Sequence, residues 1–321
     1  TASCTSDTWW KNIVARRAQM RAPAIQLTVI SIRACLATLL LVTAGATAAS
    51  SSTDRSFRID YGPVDALYGQ ILQTGAGISP VLSIDHARLA AKDGVLTMAP
   101  ARVAIFSNPA VNTALIQANP LVGLELPYRV LAYADGDSPR TLYADGSYLR
   151  QRYGLSDTVS TQAYDEQLMA SVAAVDTRQQ LRLVGDKIDA GYGIVSLESQ
   201  YDFGTTLMRI ERAIRAQGDT LWFGQVDFAE DARALDQSIL PATLQLFGGP
   251  APGGVAMTDY PQLGLNAFCQ KIIVLQDEDG LVSVHFNDIV ALARLQYGSS
   301  NKPQEIINNR LAATLNSAIG L

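Results

Sequence analysis

Phe106-Ser107-Asn108-Pro109 and Phe247-Gly248-Gly249-Pro250 stand 141 positions apart, and that interval organises the whole chain. The same offset carries Ala99-Pro100-Ala101 onto Leu240-Pro241-Ala242, Asn119-Pro120 onto Tyr260-Pro261, and Val122-Gly123-Leu124 onto Leu263-Gly264-Leu265. Near the end of the unit, Tyr153-Gly154 meets Tyr297-Gly298 after a slip of three. Ordered matches at one long offset indicate a duplicated domain, because solenoid repeats run to only about 20–50 residues.

Each copy cycles through the same local signals. In the first, Phe57–Tyr61 reads as a strand, and Val64, Leu67, Tyr68, Ile71 and Leu72 fall at helical spacing. Val81–Ile84 and Arg102–Phe106 read as strands, with a short helix after Pro109. Tyr128–Tyr133 and Thr141–Tyr143 form a hairpin around Asp135-Gly136-Asp137, and a last helix ends at Tyr153-Gly154. In the second, Ile194–Gln200 is a strand and Phe203, Leu207, Ile210 and Ile214 form a helical stripe. Leu221–Val226 and Thr243–Phe247 follow as strands, and Lys271–Leu275 pairs with Val282–Phe286 across Asp277-Glu278-Asp279-Gly280. The expected fold class is α+β: two similar small α/β units, ordered strand, helix, strand, strand, helix, hairpin, helix, forming an internal pseudo-dimer. Between them Thr161–Val184 reads as a helix with Leu168, Val172, Val175 and Leu183 on its apolar side. Beyond Pro303, Ile307, Leu311, Leu315 and Ala318 mark a terminal helix.

The division expected is an upstream segment 1–19, a signal peptide 20–48, a first unit 57–155, a helical connector 156–193, a diverged second unit 194–300 and a C-terminal helix 301–321. The leader rests on a basic start at Met20-Arg21, the apolar run Ala34–Val42 and the exit Ala46-Thr47-Ala48. Arg33 leaves that run too short for a membrane span of about 20 apolar residues. Cleavage near Ala48 predicts a periplasmic or secreted protein with no membrane insertion.

Composition narrows the function classes. The 321 residues are 48% hydrophobic and 17% charged, a globular balance. Residues 1–48 carry five basic residues and one acidic, so a chain from Ala49 would hold 20 basic and 29 acidic residues, net −9. That excludes the basic stripe of a nucleic-acid binder and disfavours anionic partners. Loss of Cys4 and Cys35 would leave Cys269 alone, so no intrachain disulfide is expected, and with two histidines in the chain neither is a metal centre. No Gly-x-Ser-x-Gly, Walker or dinucleotide motif lies at a strand-to-helix junction, and no cofactor is expected.

Ser83-Ile84-Asp85-His86-Ala87, Met98–Pro109, Thr113–Pro120 and Leu124-Glu125-Leu126-Pro127 together resemble the bacterial family called domain of unknown function 302. That family shows an Asp-His pair, a Gly-Asn-Pro turn, a Gly-Thr-x-Leu-Met-Gln helix start and a Leu-Pro entering a strand. The second copy is similar but more distant, with Phe228 after Asp227, Gly249 for the asparagine and Ala267-Phe268 read in place of Leu-Pro. The resemblance implies a small α+β unit that pairs as in a dimer, and no established reaction.

Four residues are candidates for a site: Asp85, His86, Asn108 and Thr113. An imidazole beside a carboxylate can exchange protons near neutral pH, although strand neighbours point to opposite faces, so Asp85 is not expected to orient His86. Asn108 and the backbone toward Thr113 could aim donors at an anion; the plainer reading is a turn and helix start. His285 is not the duplicate of His86, Asp227, Glu230 and Asp231 lack calcium-loop spacing, and Cys269 reads as a buried strand residue. The chain is therefore read as a non-catalytic module binding a small molecule or an envelope protein between the copies. The competing reading is an enzyme in which His86 transfers protons and Asn108 and Thr113 position the substrate.

Overall fold

The computed structural model describes residues 59–74, 79–185 and 188–321. Both copies lie in one compact unit, Ile59–Leu321. The first copy runs α1 (Gly62–Thr74), β1 (Leu82–Asp85), α2 (His86–Lys92), β2 (Ala101–Phe106), α3 (Pro109–Ala118), β3 (Tyr128–Asp135), β4 (Ser138–Tyr143), α4 (Gly146–Tyr153), α5 (Gln162–Ser171) and β5 (Gln180–Arg182). The second runs β6 (Ile194–Glu198), α6 (Phe203–Arg215), β7 (Leu221–Asp227), α7 (Phe228–Arg233), β8 (Ala242–Gly248), α8 (Pro250–Met257), β9 (Gln270–Gln276), β10 (Val282–Asn287), α9 (Ile289–Tyr297) and α10 (Lys302–Ile319). Short 3-10 turns at Pro120–Leu124 and Pro261–Gly264 occupy matching places.

The two five-stranded sheets have the orders β1-β2-β3-β4-β5 and β7-β8-β9-β10-β6. Their registers fix the equivalence residue by residue. Phe106 pairs with Tyr128 where Phe247 pairs with Gln270, and Asp85 pairs with Arg102 where Asp227 pairs with Thr243. The offset is therefore 141 along β2/β8 and 142 along β1/β7 and β3/β9. The cis peptide bonds at Leu126-Pro127 and Phe268-Cys269 are likewise 142 apart, so the counterpart of Leu-Pro is Phe268-Cys269, one residue beyond the position read from sequence.

The sheet edge next to the hairpin is built differently in each copy. In the second copy β6 runs antiparallel to β10, whereas in the first copy β5 runs parallel to β4. Residues 57 and 58 of the expected first strand lie outside the described residues, and Ile59–Tyr61 are not in a strand. The expected helix Thr161–Val184 is corrected as well: α5 stops at Ser171, and the chain turns through Thr177–Gln179 into β5. The Gln180 side chain holds the turn that replaces the helix, its Nε2 donating to the carbonyls of Val172 (3.2 Å) and Val175 (2.8 Å).

Strand alternation divides the core. In β9, Ile272 and Val274 pack with Ile210, Ile214, Leu311 and Leu315 beneath α6 and α10. Lys271 and Ile273 take the opposite face, where Ile273 reaches Gly123 of the first copy. Arg129 and Leu131 take the matching face of β3, and Leu131 approaches Gly264 of the second copy. The copies thus join through their central strands and 3-10 turns, flanked by packing of α2 on α8 and α3 on α7.

Candidate functional site

The Asp85–His86 step is a strand-to-helix boundary and not two strand residues, which corrects the expectation of opposed neighbours. Asp85 caps α2, its Oδ1 accepting from the Arg88 backbone N–H at 2.9 Å. Its Oδ2 lies 2.6 Å from Arg88 Nη1 and 3.5 Å from Arg102 Nε. Both guanidinium groups also hold Asp65, and the Arg88 hydrogen bond is the chief reason that its carboxyl sits down at about 2. Asp85 is therefore committed to a partly exposed ion-pair network and makes no hydrogen bond to the imidazole among the described residues.

His86 turns instead toward the second copy. Its Nε2 lies 3.2 Å from the carbonyl oxygen of Gly264, which can only accept, so Nε2 carries the proton. Burial drives the imidazole down to about 4, against the smaller opposing effects of the Gly264 bond and the Asp85 charge. The ring is neutral at pH 7, and its proton is used in holding the copies together.

The other candidates lie elsewhere. Asn108 follows β2 six residues beyond Arg102, the partner of Asp85, a separation of roughly 20 Å at about 3.3 Å per residue. It caps α3, its Oδ1 accepting from the N–H of Ala110 (3.0 Å) and of Val111 (3.4 Å). Thr113 is 1% exposed on α3, and its hydroxyl has no hydrogen-bond partner among the described residues. His86 lines a cavity of about 30 Å³ with Leu89, Gly249, Gly254, Phe268 and Cys269, room for about one water molecule. Asn108 and Thr113 do not line it.

The offsets explain this separation. Gly249 and Gly254 occupy the second-copy positions of Asn108 and Thr113, and Phe228 occupies that of His86. The family motifs meet across the pseudo-twofold relation and not within a copy. At one junction His86 meets the glycines of α8; at the other Phe228 lies beside Ile116 and Gly123. Each half of the expected constellation has been retained opposite the lost half of the other. The glycines of the 3-10 turns make both contacts possible: a Cβ at Gly264 would stand 3.0 and 3.1 Å from His86 ring atoms, and one at Gly123 would stand 3.1 Å from the Phe228 ring and 2.2 Å from Ile273 Cδ1.

Cys269, expected as a buried strand residue, is buried but stands just before β9, in the same cavity wall as His86. Burial raises its thiol above the usual range while His86 stays neutral, so the two do not form the thiolate–imidazolium pair of a nucleophilic cysteine. His285 is held between the hydroxyls of Ser196 and Ser283, each at 2.8 Å. Among the described residues no group of three or more His, Cys, Asp or Glu side chains could hold a metal ion, and no helix is long and apolar enough to cross a membrane.

A buried charged cluster at the junction escaped sequence reading altogether. Glu125 Oε2 accepts from Arg152 Nη1 at 2.9 Å and from the Tyr153 hydroxyl at 3.1 Å. Arg152 reaches across the copies, donating from Nη2 to Asn287 Oδ1 at 2.7 Å and from Nε to the Tyr192 carbonyl at 3.1 Å. Burial alone would raise the Glu125 carboxyl, yet the charges of Lys271, Arg152 and Arg129 hold it below its ordinary value. A single Glu125 within a Leu-Glu-Leu-Pro run carried no sequence signal of such partners, which come from three separate elements, β3, α4 and β9.

The chain is similar over 90 residues, at 37% identity, to the fluoride-specific ion channels FluC 1 of Brucella suis and FluC 1 of Brucella abortus. The likeness covers 27% of this chain and 35% and 33% of those proteins, so the chain spans about a third of the curated relatives' length. Among solved structures, the crystal structure of an uncharacterized conserved DUF302 protein from Bacillus stearothermophilus is 18% identical, with a TM-score of 0.35, over 39% of this chain and 98% of that one. The model of the domain of unknown function DUF302 matches residues 64–175 and again 195–319, the two copies that the registers align. The chain belongs to this family, as a tandem member carrying the domain twice.

Proposed function

We propose that this tandem protein is an exported, non-catalytic binding module whose ligand lies in a groove between the copies. The observation that carries the reading is the splitting of the motif: His86 faces glycines, Asn108 is spent on a helix cap, and Thr113 lies on the helix opposite Phe228's element. Acid–base catalysis needs its groups convergent on one reacting atom, and these are not. The groove is formed by Ile116, Gln117 and Pro120 of the first copy with Ile239, Leu240 and Gln276 of the second, and encloses about 340 Å³. Apolar walls with a few amides suit a small, weakly polar molecule or a peptide segment of an envelope protein. A segment similar to part of this chain also occurs in proteins named as ion channels, which supports an envelope partner. Export rests on the leader read at residues 20–48, which lies outside the described residues.

Native mass spectrometry on the protein purified from its own envelope tests the proposal. A bound species is expected that is lost in Gln117→Trp, which fills the groove, and retained in His86→Phe. Turnover of any compound that depends on His86 would overturn it in favour of the enzyme.

A further inference from the structure

Among the described residues, four Asp, Glu, Lys or Arg side chains are buried: Glu125, Arg129, Arg152 and Lys271. They form one cluster, since the carboxylate of Glu125 feels all three cations. Three positive groups therefore surround one negative group. Arg152 is fully engaged by Glu125, Asn287 and the Tyr192 carbonyl. Arg129 and Lys271 are not: all three guanidinium nitrogens of Arg129 and the Nζ of Lys271 are buried without a hydrogen-bond partner among the described residues.

Such an arrangement is energetically incomplete. A buried cation without hydrogen bonds costs several kcal/mol, and a guanidinium cannot escape by losing its proton. The two groups hold equivalent places on β3 and β9, 142 positions apart, on the faces that meet at the junction. The duplication thus sets like charge against like charge across the pseudo-twofold relation. Burial and then the Arg129 charge push the Lys271 ammonium well below the usual lysine range, with Glu125 opposing. We infer that the junction binds a small inorganic anion of halide size, held by the Arg129 guanidinium and the Lys271 ammonium. The enclosure of the two groups favours the smallest anions, since Arg129 is 5% and Lys271 2% exposed. The proposal goes beyond the groove and shares no residue with it.

The test compares the full chain in sodium gluconate, chloride, fluoride and phosphate at constant ionic strength. Thermal unfolding is expected to shift upward and saturably with chloride or fluoride, and the protein should broaden the ³⁵Cl resonance of bulk chloride. Both effects should vanish in Lys271→Met, which folds without the buried charge, and in Arg129→Met. Gln117→Trp should keep them, separating this site from the groove. Equal unfolding temperatures in gluconate and halide, or a full halide response in Lys271→Met, would mean that water alone solvates the cations and would overturn the inference. If Arg129→Met does not fold, Lys271→Met and the ³⁵Cl linewidth decide. A larger response to phosphate than to either halide would overturn the assignment of size.

Discussion

The two junctions where the copies touch are built on one plan and filled differently. At one, the Gly264 turn receives an imidazole that hydrogen-bonds its carbonyl; at the other, the matching Gly123 turn receives the ring of Phe228, which can only pack. An aromatic ring at this position is thus compatible with both a polar and an apolar solution, provided that the facing turn has no side chain. The position is read most simply as an interface anchor. A motif residue that a single copy would offer as a proton carrier becomes, in the tandem, part of the contact with its neighbour.

Changing the centre, which both junctions share, should have the largest effect. Glu125→Gln removes the carboxylate and leaves three cations buried, so unfolding in urea should show a loss of about 3–5 kcal/mol. Next comes acidification. The folded imidazoles of His86 and His285 are held down to about 4, whereas the unfolded groups titrate near 6.5. The unfolded chain then binds more protons between those values, so the stability each contributes is complete above about pH 6.5 and is lost as pH falls toward 4, roughly 3 kcal/mol for each. His86→Phe, which copies the other junction, should remove about half of that slope. A wild-type slope in His86→Phe would show that the ring is not buried neutral.

Adding a methyl group to each turn compares the junctions directly. Gly123→Ala and Gly264→Ala should each cost about 1–3 kcal/mol by overpacking. The larger loss is expected at Gly123, where Ile273 Cδ1 is at 2.2 Å, than at Gly264, where the nearest ring atom is at 3.0 Å. Equal losses would mean that the flexible end of Ile273 moves aside. The smallest effect should be Asn108→Gly, which imports the second copy's cap residue; capping glycine costs only about a few tenths of a kcal/mol relative to asparagine, and thermal melts would detect no more than a slight shift.

Much of the fold was legible in the chain. The β3/β4 hairpin was announced by alternating residues around Asp135-Gly136-Asp137, and α6 by the spacing of Phe203, Leu207, Ile210 and Ile214, because both signals are local. The end of α5 was not legible, since the Gln180 amide that holds the Val172 and Val175 carbonyls of the turn after it comes from further along the chain. Among the site candidates, the turn and helix start at Asn108-Pro109 were legible, while the capping role of the Asn108 side chain came from the structure. The partner of His86 could not be read, because Gly264 is 178 residues away.

The amino-acid order alone determined that the domain occurs twice, where most of its strands and helices fall, and which motif residues each copy kept, since all of these are written in spacing and local propensity. Only the tertiary structure decided that the kept residues face the other copy, that β5 fills a sheet edge in the first copy, and that Arg129 and Lys271 share one buried junction. Those relations depend on docking one copy against the other, and side-chain burial and charge proximity are properties of that docked arrangement, not of any stretch of chain.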